Sequence, residues 1–182
     1  MTIPLRRPLT VEDYVGWAHA QSERQRTELI NGQIVAMAPE RVEHGEVKLA
    51  AAIALRTAIA KAGLACHALG DGMTVRIDEH TAYEPDALVY CGAQLARGST
   101  IVSDPIIIVE VLSPATAHTD TSAKLIGYFK VPSVMHYLLL DPDRHTVTHH
   151  ARGRGPAVLT AGGLRLDPPG LDLIIEDFFG PS

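Results

Sequence analysis

A glutamate interrupts an otherwise apolar run, Pro105-Ile106-Ile107-Ile108-Val109-Glu110-Val111-Leu112. An unpaired carboxylate is expensive to bury in such a run, so Glu110 either faces a cleft near the strand end or is paired with a cation or a metal. Asp86 raises the same question, because Pro85-Asp86 heads the apolar segment Ala87-Leu88-Val89-Tyr90. Each acid alone has an ordinary structural explanation: Pro-Asp is a common turn pair, and a strand glutamate often belongs to a local salt bridge. Together they say more. Two carboxylates on neighbouring strands can converge on one hard divalent cation, leaving its other octahedral positions to backbone oxygen, water and a substrate phosphate.

Other chemistry-bearing residues carry weaker patterns. His145, His149 and His150 fall in or near the segment HTVTHHA, and alternation would put His145 and His149 on one face. Without further ligands in that segment, the expectation is a polar, solvent-facing strand surface. Cys66 and Cys91 have neither CxxC nor Cys/His zinc spacing, and they are expected as reduced, half-buried residues outside any disulfide framework or zinc site. A Gly-rich phosphate loop, a GxSxG elbow and an HExxH helix are all missing from the sequence, which argues against nucleotide-binding, serine-hydrolase and zincin chemistry.

The elements that must position these acids follow from periodicity. Thr10 caps a first helix, with Asp13 completing the capping box and Val11, Tyr14, Val15 and Ala18 on one side, before the charged segment QSERQRTE. Glu28-Leu29-Ile30, Asn31-Gly32 and Gln33-Ile34-Val35 read as a hairpin with a type I′ turn, placing Glu28 on an early strand. The stretch from about 43 to 62 is a long helix with Val47, Ala50, Ala51, Ala54, Leu55, Ala58 and Ile59 in one stripe and Gly63 as its stop. Strands are expected at 73–77, 86–90 and 106–112, the last buried on both faces and central in its sheet. A helix capped by Asp120 carries Lys124 and ends near Pro132, followed by the strands HYLLLD and HTVTHHA and short edge strands at 157–160, 164–166 and 171–175. This order predicts an α/β domain, a mixed β-sheet flanked by helices.

Composition sets outer bounds. At 182 residues and 46% hydrophobic content the chain suits one core, so a single domain spanning 1–182 is expected. No run approaches the roughly 18 apolar residues of a membrane span, and the N-terminus lacks a secretion-type apolar stretch, which together predict a cytoplasmic protein. The net charge of -5 lowers the expectation of non-specific DNA binding through phosphate neutralisation. It leaves a nuclease open, since a bound cation can be the local positive charge that receives a phosphate.

One resemblance is specific. TELINGQIVAMAP at 27–39, His44 at the start of the long helix, EPDALVY at 84–90 and PIIIVEVLSPATAHTDTSAKLIGYFKVPSVMHYLLLDP at 105–142 resemble the Uma-two family of restriction-endonuclease-like proteins, a branch of the PD-(D/E)XK nuclease superfamily. The similarity runs from residue 27 to about 150, the expected core. It implies a restriction-endonuclease-like fold in which Asp86 and Glu110, with the Val111 carbonyl, hold Mg²⁺ or Mn²⁺ and Glu28 adds a third carboxylate. The superfamily's Glu-x-Lys is absent, because Leu occupies position 112, and the resemblance puts Lys124 in that role from the following helix. His44 and Tyr128 are secondary candidates: His44 as a first-turn residue or a surface histidine, Tyr128 as a substrate contact or a packing residue. The implied function is a Mg- or Mn-dependent endonuclease hydrolysing nucleic acid, DNA by preference, and it is compatible with a homodimer. The alternative is a catalytically inactive interaction protein that retains the nuclease fold.

Overall fold

The computed structural model describes residues 7–21, 26–113 and 120–180, with side chains in the last range from residue 122 onward. Helix α1 (Val11–Ala20) starts at the expected capping box: Thr10 Oγ1 accepts from Asp13 N–H, and Asp13 Oδ2 accepts from Thr10 N–H at 3.0 Å. Strands β1 (Thr27–Ile30) and β2 (Gln33–Ala36) form the predicted hairpin, with Asn31 at φ 50° and Gly32 at φ 76° turning the chain. Helix α2 (Val42–Ala62) ends at left-handed Gly63. The charged segment after α1 and the cap expected from Asp120 fall outside the described residues and side chains.

Strands β3 (Cys66–Gly70), β4 (Val75–Arg76), β5 (Ala82–Tyr83), β6 (Ala87–Cys91) and β7 (Pro105–Val111) follow, then helix α3 (Asp120–Tyr128). Beyond it lie β8 (His136–Asp141), β9 (Thr146–Ala151), β10 (Ala157–Leu159), β11 (Gly163–Leu166), β12 (Leu171–Ile174) and a closing 3₁₀ turn at Ile175–Phe178. The expected strand at 73–77 shrinks to two residues, since only Val75 and Arg76 pair with β5.

One sheet has the order β10-β9-β8-β7-β6-β3, and a second has the order β2-β1-β5-β4. In the larger sheet β7 and β8 run parallel, joined through α3, while the other neighbours are antiparallel. This is the mixed sheet flanked by helices that the sequence predicts, with the Ile/Val-rich β7 in its interior.

Alternation along the central strands decides which face each residue serves. Ala87, Val89, Ile107, Val109 and Val111 pack with Val47, Ala51, Leu55 and Ile59 of α2. Leu88, Tyr90 and Ile108 take the other face with Tyr128 of α3, Tyr137 and Val134. Glu110, two residues after Ile108, is carried by the same period onto the α3 face. A smaller cluster of Val11, Tyr14, Leu29 and Ala82 anchors α1 to the second sheet.

Two expectations need correction. Cys66 and Cys91 form a disulfide across the β3–β6 ladder, where the two residues are register partners. The pairing depends on strand register, which spacing along the chain does not reveal. His145 is not on a strand: it sits in the turn before β9 with φ 50°, stacked on Phe179. His149 is drawn inward rather than exposed to solvent, its Nε2 lying 3.0 Å from His136 Nδ1. His136 Nε2 is 2.8 Å from the Pro168 carbonyl, which can only accept, so His136 Nδ1 is the acceptor for His149. Burial first, then the neighbouring His136, pushes the pKa of His149 down to about 4.

Candidate active site

The antiparallel pairing of β6 with β7 brings the start of one to the end of the other. Asp86 N–H donates to the Val109 carbonyl at 3.1 Å, and Val111 N–H donates to Asp86 Oδ2 at 2.7 Å. Asp86 is 4% exposed, held by its own strand pair at the junction where β7 ends. Glu110, one residue earlier on β7, points the other way, toward α3. There Tyr128 Oη donates to Glu110 Oε1 at 2.7 Å, and Lys124 Nζ donates to Glu110 Oε1 at 3.2 Å and Oε2 at 3.3 Å.

Lys124 and Tyr128 are one helical turn apart and so share a face of α3. Lys124 Nζ also lies 2.9 Å from Oε1 of Glu28, which enters from β1 in the other sheet and accepts Glu84 N–H at 2.9 Å. The close approach of α3 is set by Gly127, where a Cβ would come within 2.6 Å of the Tyr83 ring. That contact settles α3 low enough for a lysine to reach the sheet, with its ammonium 5.7 Å from the Tyr83 ring centre.

Glu28, Asp86, Glu110, Val111, Lys124 and His44 all line one cavity of about 610 Å³. Lys124 is 6% exposed, so it is not the solvated helix lysine that composition alone would favour. Tyr128 packs in the core with no exposure, and its hydroxyl donates to Glu110. Burial pushes the Glu110 carboxyl up to about 8 against the pull of Lys124, and the Asp86 and Glu28 carboxylates push it the same way. Burial, then the adjoining Glu110 and Glu28, holds Tyr128 well above the ordinary phenol range.

On the α2 side of the site, His44, a secondary candidate from the sequence, stands with Arg26, Glu40, Lys48 and Asp71, which the sequence reading passed over. His44, in the first turn of α2, has Nε2 at 2.9 Å from the Val111 carbonyl and 3.7 Å from Asp86 Oδ2. A carbonyl only accepts, so Nε2 carries the proton. Nδ1 is buried without a hydrogen bond, 3.6 Å from Glu40 Oε2. Lys48 Nζ contacts Glu40 Oε1 and Asp71 Oδ2, each at 2.7 Å, and Asp86 Oδ1 at 3.0 Å. Arg26 pairs with Glu40, reaches Glu84 at 3.1 Å and stands 3.8 Å from Asp86 Oδ1. Glu40, His44 and Asp86 each offer one ligand atom, all within 4.8 Å of one another, an arrangement able to hold a metal ion. Lys48 had left a trace in the sequence, since it stands one turn before Ala51 on the apolar stripe of α2.

The family model for Uma2, described as "Putative restriction endonuclease", matches residues 11–176. The chain belongs to the Uma2 family. An uncharacterized protein of Synechocystis sp. is 28% identical over 135 residues, covering 72% of this chain and 68% of its own length. A crystal structure described as "a putative nuclease belonging to DUF820", from Anabaena variabilis, superimposes with a TM-score of 0.75 at 19% identity, over 94% of this Uma2 chain and 98% of the Anabaena one. At that identity the likeness establishes the fold, and the family supplies the nuclease-like character. Among the described residues, no helix is long and apolar enough to cross a membrane.

Proposed function

We propose that the chain is a metal-dependent phosphodiesterase that hydrolyses nucleic acid, with DNA as the substrate and Mg²⁺ or Mn²⁺ as the cofactor. The observation that carries this reading is the convergence of Glu28, Asp86, Glu110 and Lys124, from separate elements, on one cavity. The donors suit a hard divalent cation: carboxylate oxygens of Asp86, Glu110 and Glu28 and the Val111 carbonyl. Two further observations support the fit. Burial first, then the neighbouring Asp86 and Glu28, raise the pKa of Glu110, a cost to its charged form that a cation would relieve. Glu40, His44 and Asp86 also place one ligand atom each within 4.8 Å of one another, so further donors stand beside Asp86 for a cation.

Held by Asp86, Glu110, Glu28 and the Val111 carbonyl, a divalent cation would supply the Lewis acidity for activating water and polarising a phosphate oxygen. The chain's own residues do the rest. Val111 N–H and Tyr128 Oη orient the Asp86 and Glu110 carboxylates, and His44 steadies the Val111 carbonyl. The Lys124 ammonium, anchored by Glu28 and Glu110, orients the attacking water and offsets negative charge developing on the phosphoryl oxygens. A homodimer would present two such sites to the two strands of a duplex.

Plasmid and oligonucleotide cleavage with Mn²⁺ tests the reading. Wild-type protein is expected to cut, and Asp86→Ala and Glu110→Ala are each expected to abolish cutting while remaining folded. Undiminished cleavage by both variants overturns the assignment. A second reading, an inactive interaction protein, draws on Leu112 at the usual lysine position and on the engagement of both Asp86 oxygens, by Val111 N–H and by Lys48. Calorimetry separates the two, since a folded wild-type protein that takes up no Mn²⁺ favours the second.

A further inference from the structure

Lys48 occupies a position where the helix pattern calls for an apolar residue. It is 6% exposed, and its ammonium faces Glu40, Asp71 and Asp86 at 2.7, 2.7 and 3.0 Å. An ammonium has three protons to give, and these carboxylates can take all of them. The same acids make it a poor phosphate clamp, since an incoming anion would meet their charge.

The three acids are not equivalent. Asp86 is 4% exposed, whereas the side chains of Glu40 and Asp71 are 28% and 48% exposed, and Arg26 stands beside both. A divalent cation on Asp86 would bring a second positive charge to within a few ångströms of the Lys48 ammonium, in a site that water screens poorly. The ammonium has somewhere else to go, because Glu40 and Asp71 can hold it without Asp86.

We propose that Lys48 is a positioning residue acting as an internal counter-cation for Asp86. In the metal-free protein it neutralises and orients that carboxylate. When a divalent cation takes Asp86, the ammonium withdraws to Glu40 and Asp71, so metal affinity is set by competition with a built-in charge. The inference rests on the reading of Asp86 as a metal ligand.

Mn²⁺ titration by calorimetry, paired with thermal unfolding with and without Mn²⁺, tests it without any activity readout. Lys48→Met is expected to bind Mn²⁺ about tenfold more tightly than wild type and to gain more in Tm when Mn²⁺ is added. Lys48→Arg restores a cation and returns the affinity toward wild type, and Lys61→Met, which removes a charge from the exposed end of α2, leaves it unchanged. Asp71→Asn removes one of the two holding acids, so Mn²⁺ should bind more weakly; this variant decides the matter if Lys48→Met does not fold. Asp86-dependent Mn²⁺ binding that is equal or weaker in Lys48→Met, or unchanged or tighter in Asp71→Asn, overturns this inference alone. Absence of Mn²⁺ binding in wild type and Lys48→Met alike overturns it together with the metal reading.

Discussion

Two buried lysines, each 6% exposed, flank Asp86 and Glu110 and are held in opposite ways. Lys124 is boxed in: Glu28 and Glu110, its carboxylate partners, are themselves 4% and 8% exposed, and the Tyr83 ring borders it. Lys48 is shared between one buried acid and two acids reached by water. The pKa directions follow the same division. Burial dominates at Glu110 and pushes it up to about 8. At Asp71 burial also opposes the charge, but Lys48 and then Arg26 outweigh it and hold the carboxyl below its usual range. A cation enclosed by buried partners has one place to be, while one shared with rim acids can move. The first end is built for fixed geometry and the second for exchange.

The largest effect is expected when the enclosed lysine is removed. Lys124→Met keeps the length of the stem and removes the buried ammonium that Glu28 and Glu110 share. Breaking a buried pair in this way is expected to cost roughly 4 kcal/mol of stability, measured by urea unfolding of the metal-free protein. A loss below about 1 kcal/mol, as for exposed pairs, would mean that the Lys124 end is open to water like the other.

Next in size is a difference in pH dependence. The Glu110 carboxyl ionises near 4.5 when unfolded and near 8 in the folded, metal-free protein. Between those values the native state binds more protons, so Glu110 makes stability fall as pH rises through the window. Glu110→Gln should remove that slope, which amounts to several kcal/mol across the window, by denaturant titration in EDTA. His149 works in the opposite direction: its folded pKa of about 4 makes stability fall as pH drops from about 6.5 toward 4. Since His149 is present in both proteins, the wild-type-minus-variant difference isolates Glu110.

Much of this arrangement was legible in the chain, and what was missed has a common cause. Glu110 stood out because a lone carboxylate in an Ile/Val run breaks local consistency, and alternation then carries it to the α3 face. The hairpin bearing Glu28, the α2 stripe and the interior place of β7 follow from Asn-Gly chemistry and simple periods. Lys124 needed the family resemblance, because a helix lysine is by default solvated. The Asp86–Val111 contact, the Cys66–Cys91 disulfide and the His136–His149 pair all depend on which residues face each other across strands. Register is a relation between distant segments, and one sequence does not display it. Lys48 is the intermediate case: its place on an apolar stripe was visible, but its partners Glu40, Asp71 and Asp86 come from three other parts of the chain.

Asp71 is a half-exposed partner of Lys48, and its depressed pKa gives a contribution present above about 3.9 that disappears as pH falls through the lower folded value. Water and salt screen that contribution, so Asp71→Asn should cost less than about 1 kcal/mol at neutral pH. Among the described residues the acids that hold Lys48 are distinct from those that hold Lys124, and Asp86, beside Lys48, bears its charge on Glu110. The Asp71→Asn/Glu110→Gln double variant should therefore lose stability additively, to within about 0.5 kcal/mol, with the Glu110 slope unaltered by the Asp71 change. A larger coupling energy would mean that the ammonium, once freed from Asp71, pulls Asp86 enough to be felt at Glu110. The fixed and exchanging ends would then be a single charge network.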